Sequence, residues 1–220
     1  MAGQGGVENR RWDHVVPPEC QASPKIQKLN ASLQWEEAKE PLHDGIDTRA
    51  VEGVGPGIPF AHTLLQRNPK SEIIGLVPCA ISATRILQWQ KGQLLYNQLL
   101  TRAQAAARSG TIHALLWYQG ESDTDTVPNA QAYKRRLQRF INDIRADLHL
   151  PNLLIIVVAL ASGVGPGFEI VRQTQLNLNL QNIRVVDAKG LGLKSDHLHL
   201  STASQVILGK KLADAFLYHP

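Results

Sequence analysis

Past residue 56 the apolar positions fall into two alternating rhythms. Ile73 to Val77 is a short apolar run bounded by turn residues, which predicts a buried strand. Ile112 to Tyr118 and Ile183 to Asp187 predict two more, and Leu153 to Leu160 has no polar alternation at all, as expected of a strand covered on both faces. Between these runs the period changes to that of a helix. Pro59 suits a first helical turn, followed by an apolar face of Phe60, Ala61, Leu64 and Leu65. Leu94 to Arg108 is rich in Leu and Ala and ends before Gly110. Pro128 opens a helix that carries Tyr133, Leu137, Phe140, Ile141, Ile144 and Leu148 on one face. Phe168 to Leu180 predicts a further helix. Ser201 can cap a last one bearing Val206, Leu208, Leu212 and Phe216.

Strands that alternate with helices predict an α/β fold, with a parallel sheet covered on both sides. The first fifty-odd residues are different. They hold Pro17-Pro18, Pro24, Pro41 and several glycines, and read as long loops with one hairpin around Leu29 to Trp35. Sheets of this kind usually open on a strand, whereas this chain opens on loops.

At 220 residues and 43% hydrophobic content the chain suits one domain, 1–220, with a sizeable core. Its net charge is +4, yet only 19% of residues are charged. The basic groups Arg10-Arg11, Lys134 to Arg136 and Lys210-Lys211 are scattered and form no stripe interleaved with aromatics. They read as solvated helix faces, and a nucleic-acid partner is not expected. The longest apolar stretch, Leu153 to Ala161, is about half of a membrane span, so no membrane partner is expected either. No charged-then-apolar leader opens the chain, which leaves the compartment open, with the cytoplasm as default. Cys20 and Cys79 make no disulfide framework, and Cys79, at the end of an apolar run, is expected to be a buried small hydrophobe. Asn30-Ala31-Ser32 matches a glycosylation sequon and, without a leader, reads as a chance match.

In open α/β sheets functional groups gather beyond the carboxyl ends of the strands. Three stretches fall there: Cys79 to Trp89 (CAISATRILQW), Trp117 to Asp123 (WYQGESD) and Ser195 to Ser201 (SDHLHLS). In the last, His199 can serve as a general base and Asp196 can orient its ring. The plainer reading is a turn capped by Asp196 with surface histidines. A metal site built on Asp196, His197 or His199 lacks a third partner, because no His/Cys/Glu pair elsewhere has ligand spacing, so no cofactor is expected. In WYQGESD, Gly120 permits a tight turn, and the Gln119 amide could donate to an oxyanion. Glu121 and Asp123 could bind sugar hydroxyls, fix the turn, or cap the helix that follows.

Taken together the motifs resemble the SGNH (GDSL-like) hydrolase superfamily, and more closely the plant carbohydrate esterases grouped with sialic-acid-specific acetylesterases. The matching strings are MAGQGGV at 1–7, LQWEEAKEPLH at 33–43, GVGPGIPFA at 53–61, GLVPCAISATRILQW at 75–89, LLWYQGESD at 115–123 and DHLHLS at 196–201. The resemblance implies a three-layer α/β/α, flavodoxin-like parallel sheet lacking its first strand. It also implies serine-dependent removal of O-acetyl groups from a carbohydrate substrate. By the same comparison Asp196 and His199 match the Asp-x-x-His of a Ser-His-Asp triad, and Gln119, Gly120 and Glu121 match the motif associated with the oxyanion site. The nucleophile of such esterases lies in a Gly-Gln-Ser-Asn-Met-Ala-Gly motif. Met1-Ala2-Gly3 matches its tail, so the serine is expected two residues before Met1.

One departure stands out. Ser82-Ala83 replaces the usual Gly-Gly, whose backbone N–H serves the oxyanion hole. Ser82 still has an N–H, but a glycine there can supply a positive φ or a close approach that serine does not. Ser82, Ser122 and Ser162 also follow strands, and read as polar turn residues, since none sits in a Gly-x-Ser-x-Gly elbow. The rival to an esterase is a catalytically inactive homologue that binds carbohydrate or serves as a structural or interaction protein.

Overall fold

A computed structural model of the chain describes residues 2–68, 70 and 73–218; Met1, the first residue of the MAGQGGV string, lies outside them. The chain divides into two compact units, residues 1–82 with 191–220, and residues 83–190.

The first unit begins with a tight hairpin, β1 (Val7–Glu8) against β2 (Arg11–Trp12). Its two-residue turn places Asn9 at φ 49° and Arg10 at φ 59°. Paired positive φ values are the turn geometry that matches strand twist, and Asn tolerates that region well. Arg10 and Arg11 therefore lie on this hairpin and not on a helix face. The one hairpin expected, around Leu29 to Trp35, is present as β3 (Ile26–Leu29) and β4 (Trp35–Glu37). Asn30 organises its loop: its side-chain oxygen accepts from the amides of Ser32 and Gln34, and its nitrogen donates to Glu36.

Strand β5 (Ile74–Leu76) runs parallel to β3, giving the order β4-β3-β5. It differs from the expected buried strand. Leu76 is buried, but Gly75 is exposed and Ile73, just before the strand, is 65% exposed. Helix α1 (Gly57–Arg67) starts two residues before Pro59 and buries Phe60, Ala61 and Leu64. Its partner is α5 (Thr202–Leu217), capped by the Ser201 hydroxyl, which accepts from the Ser204 amide at 3.3 Å. The rings of Phe60 and Phe216 meet edge to face, 5.9 Å apart. Cys20 is the buried cysteine of this unit, with its thiol pushed up to about 12 by burial; Cys79 is only half-buried, contrary to expectation.

The second unit is a parallel sheet, β6 (Ala114–Trp117), β7 (Leu154–Ala159) and β8 (Ile183–Asp187), in that order. Helices α2 (Leu94–Ala107), α3 (Val127–Asp147) and α4 (Phe168–Leu176) complete it. Strand β7 is central, and Ile155 to Ala159 are all fully buried, as its unbroken apolar run predicts. Burial of each such side chain is worth roughly 1.5–3 kcal/mol for the larger residues. Helix α3 buries Tyr133, Leu137, Phe140, Ile141 and Ile144 along the predicted face. Thr126 caps it by accepting from the Asn129 amide, so neither Glu121 nor Asp123 is the cap. Helix α4 ends at Leu176, four residues short of expectation, because Asn177 turns its side chain back onto the Gln173 carbonyl. A parallel sheet flanked by helices is the SGNH type of α/β/α fold that the sequence predicts. Among the described residues no helix is long and apolar enough to cross a membrane.

Candidate active site

The base turn belongs to the first unit. Leu193 and Leu200 form an antiparallel bridge, Lys194 N–H donates to the His199 carbonyl at 2.8 Å, and Ser201 N–H donates to the Gly192 carbonyl at 3.0 Å. Leu200 is buried and anchors the loop, while residues 195–197 stay exposed. One carboxylate oxygen of Asp196 accepts from the amides of Leu198 and His199, each at 2.9 Å. The other lies 2.9 Å from His199 Nδ1 and 3.4 Å from Lys194 Nζ. An Asp followed three residues later by a His is the spacing this turn requires: the carboxylate fastens its own loop and reaches the ring beyond it. His197 takes up the sharpest part of the turn, at φ 54°.

Partial burial would raise the Asp196 carboxyl. The His199 amide, the His199 ring and the Leu198 amide outweigh that effect and hold it well below the usual carboxylate range. An ionised Asp196 keeps the proton of neutral His199 on Nδ1, which leaves Nε2 as the proton acceptor. The side chains of His199 and Asp196 are 43% and 38% exposed, so this acceptor is within reach of a substrate.

Ser82 is held differently. Its backbone N–H donates to Asp47 Oδ2, and its carbonyl accepts from Arg49 Nη2 at 2.8 Å. Asp47 is buried and also accepts from the Arg49 amide. The amide expected to face an oxyanion is therefore engaged by a carboxylate. The positive φ falls one residue later, at Ala83 (55°), so that the second of the two usual glycine positions is where the left-handed backbone lies.

The β6 end belongs to the second unit. Gly120 sits at φ 137°, and a Cβ there would meet Val171 at 3.0 Å, the Gln175 amide at 3.1 Å and the Tyr133 hydroxyl at 3.3 Å. Only glycine fits, and it starts the tight 3-10 turn Glu121–Thr124. The Gln119 carbonyl accepts from the Tyr133 hydroxyl and from Gln175, both at 2.9 Å. Its side-chain nitrogen donates to the Thr84 carbonyl at 2.9 Å and to Asp123 Oδ2 at 2.7 Å. Turning the amide over would set its oxygen against two acceptors, so this orientation is forced. Both amide hydrogens are thus in use, and an oxyanion could receive one only if a bond to Thr84 or Asp123 were given up. Glu121 is half-buried at the first position of the turn. Asp123, read from the sequence as a turn or capping residue, is fully buried. Burial raises its carboxyl above the ordinary value, against the hydrogen bonds from Gln119 and Ile86.

Among the described residues no group of three His, Cys, Asp or Glu side chains is arranged to hold a metal ion. A surface depression lined by Asn142, Arg145, Ala146, His149 and Pro151 contains none of the predicted site residues.

The profile of the family described as carbohydrate esterase, sialic acid-specific acetylesterase, matches residues 1–218. The chain belongs to this family. It is 49% identical over 225 residues to a probable carbohydrate esterase of Arabidopsis thaliana, spanning 99% of this chain and 86% of that protein. A solved Arabidopsis thaliana structure superposes with a TM-score of 0.95 at 49% identity, covering 99% of this chain and 93% of the other. A carbohydrate acetylesterase from Xanthomonas citri shares the fold, with a TM-score of 0.65 at 20% identity over 96% of this chain and 54% of its own.

Sequence reasoning missed three members of the esterase scaffold. Asp47, Thr84 and the buried role of Asp123 leave no trace in local spacing, because Asp47 meets Ser82 across 35 positions and Asp123 meets Ile86 across 37.

Proposed function

We propose that this chain is a carbohydrate acetylesterase that removes O-acetyl groups from a sugar by a Ser-His-Asp mechanism, with His199 as base, Asp196 as its orienter and the serine supplied by residues before Met1. The observation that carries this reading is the 2.9 Å contact between His199 Nδ1 and Asp196 Oδ2, which readies Nε2 to accept a proton. His199 takes the serine hydroxyl proton as the serine oxygen attacks the acetyl carbonyl. It returns that proton to the sugar oxygen as the carbon–oxygen bond breaks. Water, deprotonated by the same ring, then attacks the acetyl-serine and releases acetate and the free serine. Gln119, Gly120, Glu121 and Ser82 are assigned to the acyl- and sugar-recognition side of the reaction.

The test is kcat/KM on an acetylated sugar for the chain extended at its N-terminus by a segment ending Gly-Gln-Ser-Asn. The expected result is turnover that His199→Ala lowers by about a thousandfold or more. Turnover indifferent to His199 would remove the proposal. A second reading, an inactive sugar-binding homologue, draws on the engaged amides of Ser82 and Gln119. It predicts that the extended chain binds the sugar and releases no acetate.

A further inference from the structure

The Gln119 amide is held by a small buried framework within the second unit. Asp123 Oδ2 accepts from Gln119 Nε2 at 2.7 Å and from the backbone amide of Ile86 at 2.8 Å. Ile86 begins a 3-10 turn, Ile86–Trp89, so one carboxylate oxygen ties the end of β6 to the start of that turn. Two further bonds join the same segments: Gln119 Nε2 to the Thr84 carbonyl at 2.9 Å, and Arg85 Nε to the Ser122 carbonyl at 3.3 Å. Arg85 also pairs with Asp125. Inside the segment, Trp89 Nε1 donates to the Thr84 hydroxyl at 3.0 Å, and the Trp89 ring packs edge-on against Trp117 of β6. Thr84, Ile86, Trp89, Gln119 and Asp123 are all buried.

We propose that Asp123 is a positioning residue of the esterase site, which acts through Gln119: it fixes the amide orientation and sets the path of the backbone from Ala83 to Ile86. This rests on the acetylesterase reading above for its catalytic consequence, though not for its geometry. The carboxylate suits the task because one oxygen accepts two donors arriving from different segments, whereas an alkyl group accepts none and a hydroxyl brings a proton that itself needs an acceptor. Its second oxygen, Oδ1, and Gln119 Oε1 are both buried without a hydrogen-bond partner among the described residues. A side chain retained there for packing alone would be apolar, because a buried acceptor left unmet is destabilising.

Two measurements test the proposal. The first uses this chain as it stands. Hydrogen exchange of the Gln119 side-chain amide, assigned by its disappearance in Gln119→Ala, is expected to be slow and to quicken at least about tenfold in Asp123→Ala. Asp123→Asn, whose oxygen can occupy the Oδ2 position and accept both bonds, should restore slow exchange. Unchanged exchange in Asp123→Ala overturns the proposal.

The second uses the extended chain, with kcat expressed per site titrated by a serine-directed phosphonylating reagent. Asp123→Ala should lower kcat by roughly 10- to 100-fold with KM little changed, and Asp123→Asn should recover most of the loss. Combined with Gln119→Ala, it should cost clearly less than the product of the two single losses, because part of its effect passes through Gln119. Effects that multiply independently, or a loss that vanishes on correction for titrated sites, overturn the proposal. If the extended chain hydrolyses no acetylated sugar while the Gln119 amide still loses protection in Asp123→Ala, the acetylesterase reading fails and the positioning role stands.

Discussion

The base turn and the β6 end hold their carboxylates in opposite ways. Asp196 is 38% exposed on its side chain, and its bonds reach no further than three residues along the chain. Asp123 is fully buried, and binds Ile86 across 37 positions. The first carboxylate is pushed toward its charged form by three donors from its own loop, while the second is pushed away from it by burial. The contrast separates chemistry from scaffold. An exposed, locally fastened pair can be altered at small cost to the fold, whereas a buried bridge serves the fold and the site together.

The sharpest way to break the comparison is to remove each side chain and measure activity and stability in parallel. His199→Ala should abolish most turnover while shifting Tm by no more than about 1–2 °C, because an exposed ring contributes little packing. Asp123→Ala should do the reverse in proportion, with a smaller loss of turnover and a larger loss of stability. It leaves the Gln119 and Ile86 donors unmet, at about 1–3 kcal/mol each, and each kcal/mol lowers Tm by about 2–4 °C in a chain of this size. Equal Tm shifts for the two variants would dissolve the contrast.

A third carboxylate, also buried, sharpens it through pH. Glu52 is buried with neither oxygen hydrogen-bonded among the described residues, and its carboxyl is pushed up to about 9 by burial, with Asp47, Asp44 and Glu40 adding to the effect. Burial likewise pushes Glu40 to about 7. A carboxyl raised above its ordinary value of 4.5 binds its proton more tightly in the folded state. Its contribution to stability is therefore complete below that ordinary value and is lost as pH rises toward 9. Thermal melts should show Tm falling from pH 5 to pH 8, and Glu52→Gln should flatten the slope and raise Tm at pH 8. Asp196 does not enter this window, being ionised in the folded state throughout it. A slope unchanged in Glu52→Gln would contradict the account of Glu52.

Smaller effects are expected where the backbone is left-handed. Ala83→Gly relieves φ 55° and should stabilise the protein by about 1 kcal/mol at most, read as a modest rise in Tm. His197→Gly, at φ 54° in the base turn, should leave kcat/KM within about threefold of the parent. A collapse of activity there would mean that the turn's second histidine takes part in the chemistry.

What could be read from the sequence follows the same division. The helix faces, the β7 run and the Asp-x-x-His turn are written in short-range spacing, and the structure contains each of them. The β1–β2 hairpin was harder to see, because its strands are two residues long and it turns on Asn9-Arg10 and not on the usual Asn-Gly. Strand β5 misled in the other direction, because an apolar run does not reveal that its Ile73 and Gly75 face solvent. At the site, Gly120 was legible because a tight turn needs it. The engagement of Gln119 by Thr84 and Asp123, and of Ser82 by Asp47, was not, since only the folded chain brings those partners together.

The central claim is that His199, oriented by Asp196, activates a serine carried just before Met1. It is tested most directly by the rate at which a phosphonylating reagent labels the chain extended with Gly-Gln-Ser-Asn, with the adduct located by mass spectrometry. The account predicts a single adduct on that serine, formed at least about a hundredfold more slowly in His199→Ala, because a serine hydroxyl without a base is a weak nucleophile. Labelling of that serine at an unchanged rate in His199→Ala, or its absence in the parent protein, would contradict the account.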